Sequence, residues 1–218
     1  PTRARACEGD DLTDNVTNET GLEALPRADA AHSRYVQRVR RVLGDKLAGS
    51  FGVVGAGVTL GTTGVVTTTS DLEINAGSGA ITLGATSVGA NLIATTTSGN
   101  ITQSAGTAIT VNGTANLDAG TGDVTLANAS NDFKSAVTVN ADVVTIKDTN
   151  DLILGGGTVN QLNVTSVNGG ITQTAAPLIV NNKLDLTAAN DIVLFSPANQ
   201  FGPVTATAAS RSEERRVG

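Results

Sequence analysis

Two pairs of carboxylates are the residues of this sequence whose types and spacing could do chemistry. Asp118 and Asp123 flank Ala-Gly-Thr-Gly, and Asp148 and Asp151 flank Thr-Asn. Two carboxylates within about 10 Å of each other hydrolyse glycosidic bonds, one as the acid and the other as base or nucleophile. Both pairs lie among turn-forming residues, where Asp commonly accepts hydrogen bonds from the local backbone. We therefore interpret the four carboxylates as turn residues and predict no catalytic residue.

Other reactive groups are nearly missing from the sequence. His32 is its only histidine and Cys7 its only cysteine, and residues 51–210 contain no His, Cys, Arg, Trp or Tyr. That composition excludes Ser-His-Asp and Cys-His nucleophiles and zinc ligation by nitrogen or sulfur in this region. The glycines of 52–57 lack the spacing of a dinucleotide-binding loop, and no calcium-binding nonapeptide occurs. The sequence predicts neither a metal nor another cofactor.

The charge distribution argues against nucleic acid as a partner. Residues 51–210 contain three lysines against ten Asp and Glu, within a chain of net charge −6. Binding to a phosphate backbone requires Lys and Arg to displace its counterions. No run approaches the roughly 18 consecutive apolar residues of a membrane-spanning helix, so no such segment is predicted.

The elements that position these turns are short apolar triplets with a polar centre, such as Val58-Thr-Leu60, Ile81-Thr-Leu83 and Val124-Thr-Leu126. Alternation with period two places the outer residues inward and Thr outward in a β-strand. Such triplets recur at short intervals, beginning at 65, 72, 81, 92, 101, 109, 117 and 124. Three per turn predicts an all-β parallel β-helix of about 20–24 residues per turn. A β-sandwich with turns at Asn112-Gly113 and Asn168-Gly169 is the alternative.

A long internal repeat supports the solenoid. Ile101–Phe133 resembles Ile171–Phe201, at an offset of about 70 residues. A unit of this length predicts three turns, with length changes confined to the loops. We interpret three kinds of repeated residue as structural: the asparagines as amide ladders between coils, the phenylalanines as filling a wide corner of the core, and the glutamines as ends of the Ile-Thr-Gln strands. They are Asn131 and Asn199, Phe133 and Phe201, and Gln103 and Gln173.

The sequence divides into three parts. Residues 1–50 are polar and include a predicted amphipathic helix over 31–47, which we expect to cover the open end of the first coil; binding of a membrane surface or partner is the alternative. Residues 51–208 are the predicted β-helix. Residues 209–218 are read as a non-native tail, because RSEERRVG resembles a translated sequencing adapter. Since the sequence lacks Met, we expect a fragment or a mature form.

From about Val58 to Ala208 the sequence resembles the repeats of filamentous-haemagglutinin-like large exoproteins of two-partner secretion and of autotransporter passengers. The resemblance is carried by Ile-Thr-Gln at 101–103 and 171–173, by Asp-Val-Thr-Leu at 123–126 with Asp-Ile-Val-Leu at 191–194, and by Asn-Asp-Phe at 131–133 with Asn-Gln-Phe at 199–201. The resemblance implies a right-handed parallel β-helix, exported across the outer membrane and displayed on the bacterial cell surface.

The predicted function is therefore a stalk segment of a secreted bacterial adhesin, a scaffold for attachment rather than an enzyme. Its expected partners are further repeats of the same chain and a host cell-surface or glycan ligand. About seven turns would make a rod on the order of 35 Å long. A carbohydrate-active β-helix enzyme and an inert surface-layer or fibre scaffold are the alternatives.

Overall fold

The computed structural model describes residues 46–47, 51–55, 57–61 and 64–209. Each element of this region is a β-strand, and the strands run in chain order as follows: β1 Lys46–Leu47, β2 Phe51–Val54, β3 Val58–Leu60, β4 Val66–Thr68, β5 Leu72–Asn75, β6 Ile81–Leu83, β7 Thr86–Val88, β8 Leu92–Thr95, β9 Ile101–Gln103, β10 Ile109–Val111, β11 Ala115–Asp118, β12 Val124–Leu126, β13 Asp132–Phe133, β14 Ala136–Asp148, β15 Leu152–Ser166, β16 Ile171–Gln173, β17 Leu178–Ala188, β18 Ile192–Val193, β19 Gln200–Phe201 and β20 Val204–Ala208.

Successive strands wind into a parallel solenoid of about seven turns. All strand pairings in the described ranges are parallel, with partners roughly one turn apart in sequence. The β-sandwich alternative is therefore wrong, because hairpins would make antiparallel pairs. The right-handed sense of the winding stays a prediction.

As far as β14, each turn contributes one strand to each of three faces. Face A holds β1, β4, β7, β10 and β13, and face B holds β2, β5, β8, β11 and the first part of β14. Face C holds β3, β6, β9, β12 and the second part of β14. Later in the chain the strands bend around corners without a break, so that β14, β15 and β17 reach 13, 15 and 11 residues.

Turn length varies around the predicted range of about 20–24 residues. Hydrogen-bonded residues of adjacent coils differ by 20 in sequence number at Asp71 and Asn91, and by 23 at Asn100 and Asp123. Between β14 and β15 the difference falls to 18, below the predicted range. The turn therefore shortens between β14 and β15, and beyond it the difference between paired residues returns to 19–22.

This shortening has two sources. The corner between faces B and C is the loop 119–123 in one coil and becomes continuous strand at 141–143 in the next. The stretch between the paired segments of faces C and B then shortens as well, from 127–135, which includes β13 on face A, to 147–152. Both changes remove residues between paired segments, and the ladder of β14 with β15 contains a register shift between Val137 and Val139.

The core is a single column of aliphatic side chains. Ile81, Ile101 and Ile171 are all fully buried within it, and it continues from Val53 to Ala188. The predicted alternation is confirmed in the triplets: in β12, Val124 and Leu126 are buried whereas Thr125 is exposed. Small and β-branched side chains fill the narrow interior because each rung packs on the next.

The outward-facing residues of face C form a straight rank of threonine. Thr59, Thr82, Thr102, Thr125 and Thr145 are register partners in successive coils. The hydroxyls of Thr82 and Thr102 are 3.2 Å apart, at hydrogen-bond distance. The rank follows directly from the polar centre of each triplet.

The prediction of three turns per repeat is wrong, because each repeat advances by three full turns and one further face. Leu72 is followed on face B by Leu92, Ala115 and Val137, three turns on, whereas its repeat equivalent Val144 lies beyond them on face C. One repeat therefore contains ten strand segments and advances three and a third turns. Repeat-equivalent residues consequently face neighbouring sides of the rod, and both copies still share one core.

The predicted helix over 31–47 is not supported where it can be compared. Lys46 and Leu47, which the prediction placed at its end, form β1 and pair with β4. The rest of that helix and its proposed role as a cap lie outside the described residues, as do residues 1–45 in general and 210–218 of the predicted tail. No helix in the described part is long and apolar enough to cross a membrane.

Candidate functional site

The two carboxylate pairs are built into the turns as backbone acceptors. Asp118 Oδ1 accepts the N–H of Gly120 at 3.0 Å, within its own turn. Asp123 Oδ1 accepts the N–H of Val143 in the next coil at 3.1 Å. These bonds fix each carboxylate against the backbone, which is the structural role predicted from the sequence.

The second pair makes the same kind of bond, and its two members differ in burial, since Asp148 is buried and Asp151 is exposed. Asp148 is fully buried and accepts the N–H groups of Phe133 at 2.7 Å and Asn150 at 2.8 Å. Burial raises the pKa of Asp148, the two backbone bonds lower it in part, and the charges of Asp132 and Asp151 raise it. Asp151 Oδ1 accepts the N–H of Gly170 in the next coil at 2.7 Å.

Gln103 and Asn131 form a reciprocal amide pair across one turn. Gln103 Nε2 donates to Asn131 Oδ1 at 2.6 Å, and Asn131 Nδ2 donates to Gln103 Oε1 at 3.1 Å. Asn131 Oδ1 also accepts the N–H of Ile109 at 2.9 Å, and its Nδ2 reaches the carbonyl of Leu126 at 3.2 Å. The buried side chain of Asn131 thus supplies hydrogen-bond partners to the backbone of Ile109 and Leu126 at the corner where the chain passes from face C to face A.

The second repeat builds the same pair one corner further round the rod. Gln173 Nε2 donates to Asn199 Oδ1 at 2.7 Å, and Asn199 Nδ2 donates to Gln173 Oε1 at 2.8 Å. Asn199 Oδ1 accepts the N–H of Leu178 at 2.9 Å. The expected ladder of equivalent asparagines is wrong, because each asparagine pairs with the glutamine one coil earlier.

The two phenylalanines that follow these asparagines differ in burial. Phe133 is 1% exposed and is among the largest fully buried side chains of the core. Phe201, its equivalent in the last coil, is only partly buried. Phe133 therefore contributes more buried apolar surface to the core than Phe201 does.

An open groove of about 430 Å³ runs along the corner between faces B and C. Its polar lining comes from four successive coils and comprises Thr121, Asp142, Thr158, Asn160 and Asn181. The residue types and their spacing do not predict this lining, because the groove depends on a change of turn length. Asp142 lies beside Asn160 of the next coil because the turn between them is only 18 residues long, and the sequence pattern does not predict that length.

A family model described as Repeats of unknown function (DUF5649) matches residues 69–140 and 141–208. The chain belongs to this repeat family. The two DUF5649 matches adjoin within β14, and their lengths agree with the repeat offset that separates Gln103 from Gln173. No curated protein and no solved structure matches the chain.

The DUF5649 units of this chain therefore form a repetitive parallel β-solenoid. In each of them the amide and carboxylate side chains described above hold successive coils together. Among the described residues, no three His, Cys, Asp or Glu side chains are grouped to hold a metal ion. The geometry is that of a scaffold, and its described surface includes a polar groove.

Proposed function

We propose that this solenoid is a rigid stalk segment of a secreted bacterial surface adhesin. The observation that carries the proposal is the unbroken parallel winding, in which about seven turns share one core and every repeat adds three and a third turns. Rungs spaced by about 4.8 Å give a rod roughly 35 Å long, and further repeats lengthen it without a new fold. The resemblance of Ile101–Gln103 and Ile171–Gln173 to large-exoprotein repeats supports the adhesin assignment.

A stalk acts by reach and repetition. Its length sets the distance between the cell and a distal binding region, and weak sites repeated along it add avidity. Since successive repeats face neighbouring sides, equivalent surfaces would follow a helical path around the rod and return to the same side after three repeats. Such a stalk would meet a ligand from any direction.

Surface display tests the proposal. Antibodies raised against the full chain should label intact cells of the source bacterium, and external protease should remove the label. Beads coated with the chain should adhere to host cells more than beads coated with an unrelated acidic protein. Labelling that requires permeabilised cells would overturn surface display, and surface labelling without adhesion would favour the inert scaffold.

The enzyme alternative is tested separately. The chain is incubated with a panel of neutral and acidic polysaccharides, and new reducing ends are measured. We expect no turnover. Turnover that is lost in Asp118→Asn or Asp123→Asn would replace the stalk by a carbohydrate-active enzyme.

A further inference from the structure

The groove between faces B and C begins where the turn shortens. In the coil of β11 and β12 the corner is the loop 119–123, in which Gly120 has a φ of +57°. In the next coil the same corner is continuous strand at Ala141 and Asp142. The loop therefore overhangs the coils that follow, and Thr121 lies at the edge of the overhang.

Polar side chains line the groove in a file parallel to the rod axis. Asp142 and Asn160 are one turn apart, and Asn160 Nδ2 donates to Asp142 Oδ1 at 2.9 Å. In the coil beyond, a register shift between Val159 and Gln161 inserts an extra residue beside Asn160, at Asn181 and Asn182. Such bulges re-aim side chains and are frequent next to binding sites.

We propose that this groove binds a neutral, polyhydroxylated ligand, namely an oligosaccharide chain lying along the rod. Sugar hydroxyls both donate and accept, so they match the carboxylate of Asp142 together with the amides of Asn160 and Asn181. The volume of about 430 Å³ lies in the range of small-molecule clefts and fits a few sugar units. The proposal deepens the adhesin function and rests on it for its biological meaning only.

The lining disfavours other classes of ligand. An anionic polysaccharide would meet Asp142, and Lys183, the lysine nearest in sequence to Asn181, is paired with Asp185 at 2.5 Å. A hard cation prefers several oxygen ligands that include more than one carboxylate. The apolar groups of the lining, Ala141 and Val159, are buried, so they offer little surface to an apolar ligand.

Titration of the full chain with cellohexaose and maltohexaose, followed by NMR, tests the site. We expect millimolar binding of at least one of them, with shifts at Asp142, Asn160 and Asn181, and no binding of oligogalacturonate. A hydrogen bond to a charged group contributes enough that Asp142→Ala should weaken binding about tenfold or more. Asn160→Ala with Asn181→Ala should do the same, because both amides are lost.

Asn163→Ala is the matched control, because Asn163 is an exposed strand residue on face C, away from the groove. Its affinity should equal that of the wild type. Three results would refute the proposed saccharide site. They are equal affinity of the wild type and Asp142→Ala, stronger binding of oligogalacturonate than of the neutral hexaoses, and no binding of either neutral hexaose. Cell adhesion by a wild-type chain that binds neither neutral hexaose would refute the saccharide site alone. Saccharide binding by the wild-type chain without surface display would refute the adhesin proposal alone.

Discussion

Replacement of Asn131 by alanine should cost more stability than any other polar substitution in a turn of this solenoid. Asn131 is fully buried and makes bonds to Gln103, Ile109 and Leu126. Gln103 keeps two other partners, since its Nε2 donates to the carbonyl of Thr107 and its Oε1 accepts the N–H of Asn128. The variant therefore removes the acceptor of the Ile109 N–H and one donor to the carbonyl of Leu126, both of them buried.

The magnitude follows from those two groups. An unsatisfied buried polar group costs about 1–3 kcal/mol, and a carbonyl less than an N–H. We expect the free energy of unfolding to fall by about 3 kcal/mol in Asn131→Ala. The same change at Asn199 should cost about 1 kcal/mol, because Asn199 is partly exposed and water can replace its bonds.

Urea denaturation followed by circular dichroism measures both changes, with unchanged m values as the condition for comparison. Asn116→Ala, at an exposed position of β11, is the control and should change stability by less than ~0.5 kcal/mol. Hydrogen exchange at the Ile109 amide should accelerate in Asn131→Ala before exchange in more distant coils does. The reasoning would be refuted if Asn131→Ala matched the control, or if Asn199→Ala were the more harmful change.

Three further predictions concern the turns and the core. Gly157→Ala should lower the free energy of unfolding by at least ~3 kcal/mol in urea denaturation, because the φ of Gly157 is +126° and a Cβ would collide with a backbone carbonyl of the preceding coil. Gly77→Ala should lower it by only about 1 kcal/mol, because the φ of Gly77 is +57° and a Cβ there would meet open space. Equal losses in the two variants would count against the close approach at Gly157. Burial raises the pKa of Asp148 in the folded state above its unfolded value, so the stabilising contribution of Asp148 is full at pH below about 3.9 and is lost as the pH rises through the folded-state pKa. Urea midpoints measured across that pH interval should show this loss in the wild type and not in Asp148→Asn. A loss of stability on acidification, present in the wild type and absent from Asp148→Asn, would contradict the predicted direction. Phe133→Ala should cost about 3–5 kcal/mol, whereas Phe195→Ala, at a side chain 59% exposed, should stay within ~0.5 kcal/mol by the same assay; similar losses would mean that the two rings are equally buried.

The sequence predicted the faces whose strands are apolar at both ends. Ile81–Leu83 and Val124–Leu126 are recognisable by period two, and the structure has strands at both. The same pattern does not predict Thr86–Val88 or Asp132–Phe133, because each begins with a polar residue. Thr86 is nevertheless buried, with its hydroxyl bonded to the carbonyl of Gly84 at 3.2 Å. Without these two segments, the pattern of triplets predicts three turns per repeat and not three and a third.

The amide pairs show a second limit of sequence reasoning. The repeat singled out Gln103 and Asn131, but their separation of 28 in sequence number is neither one turn nor one repeat, so their contact could not be predicted from spacing. The groove cannot be predicted from the sequence for a related reason. It arises where one turn loses residues, and the sequence alone does not reveal which of two polar stretches forms a loop and which continues the strand at Asp142.

Disulfide trapping between neighbouring coils tests the parallel winding most directly. Thr145 and Asn163 are register partners in successive coils, and adjacent parallel strands lie about 4.8 Å apart, within the Cα–Cα range of a disulfide. In a Cys7→Ser background, Thr145→Cys with Asn163→Cys should cross-link within one chain under mild oxidation. Thr145→Cys with Thr172→Cys should not, because Thr172 pairs with Ile153 on another face. Cross-linking of the second pair but not of the first would contradict the winding, and with it the rotation of one face per repeat.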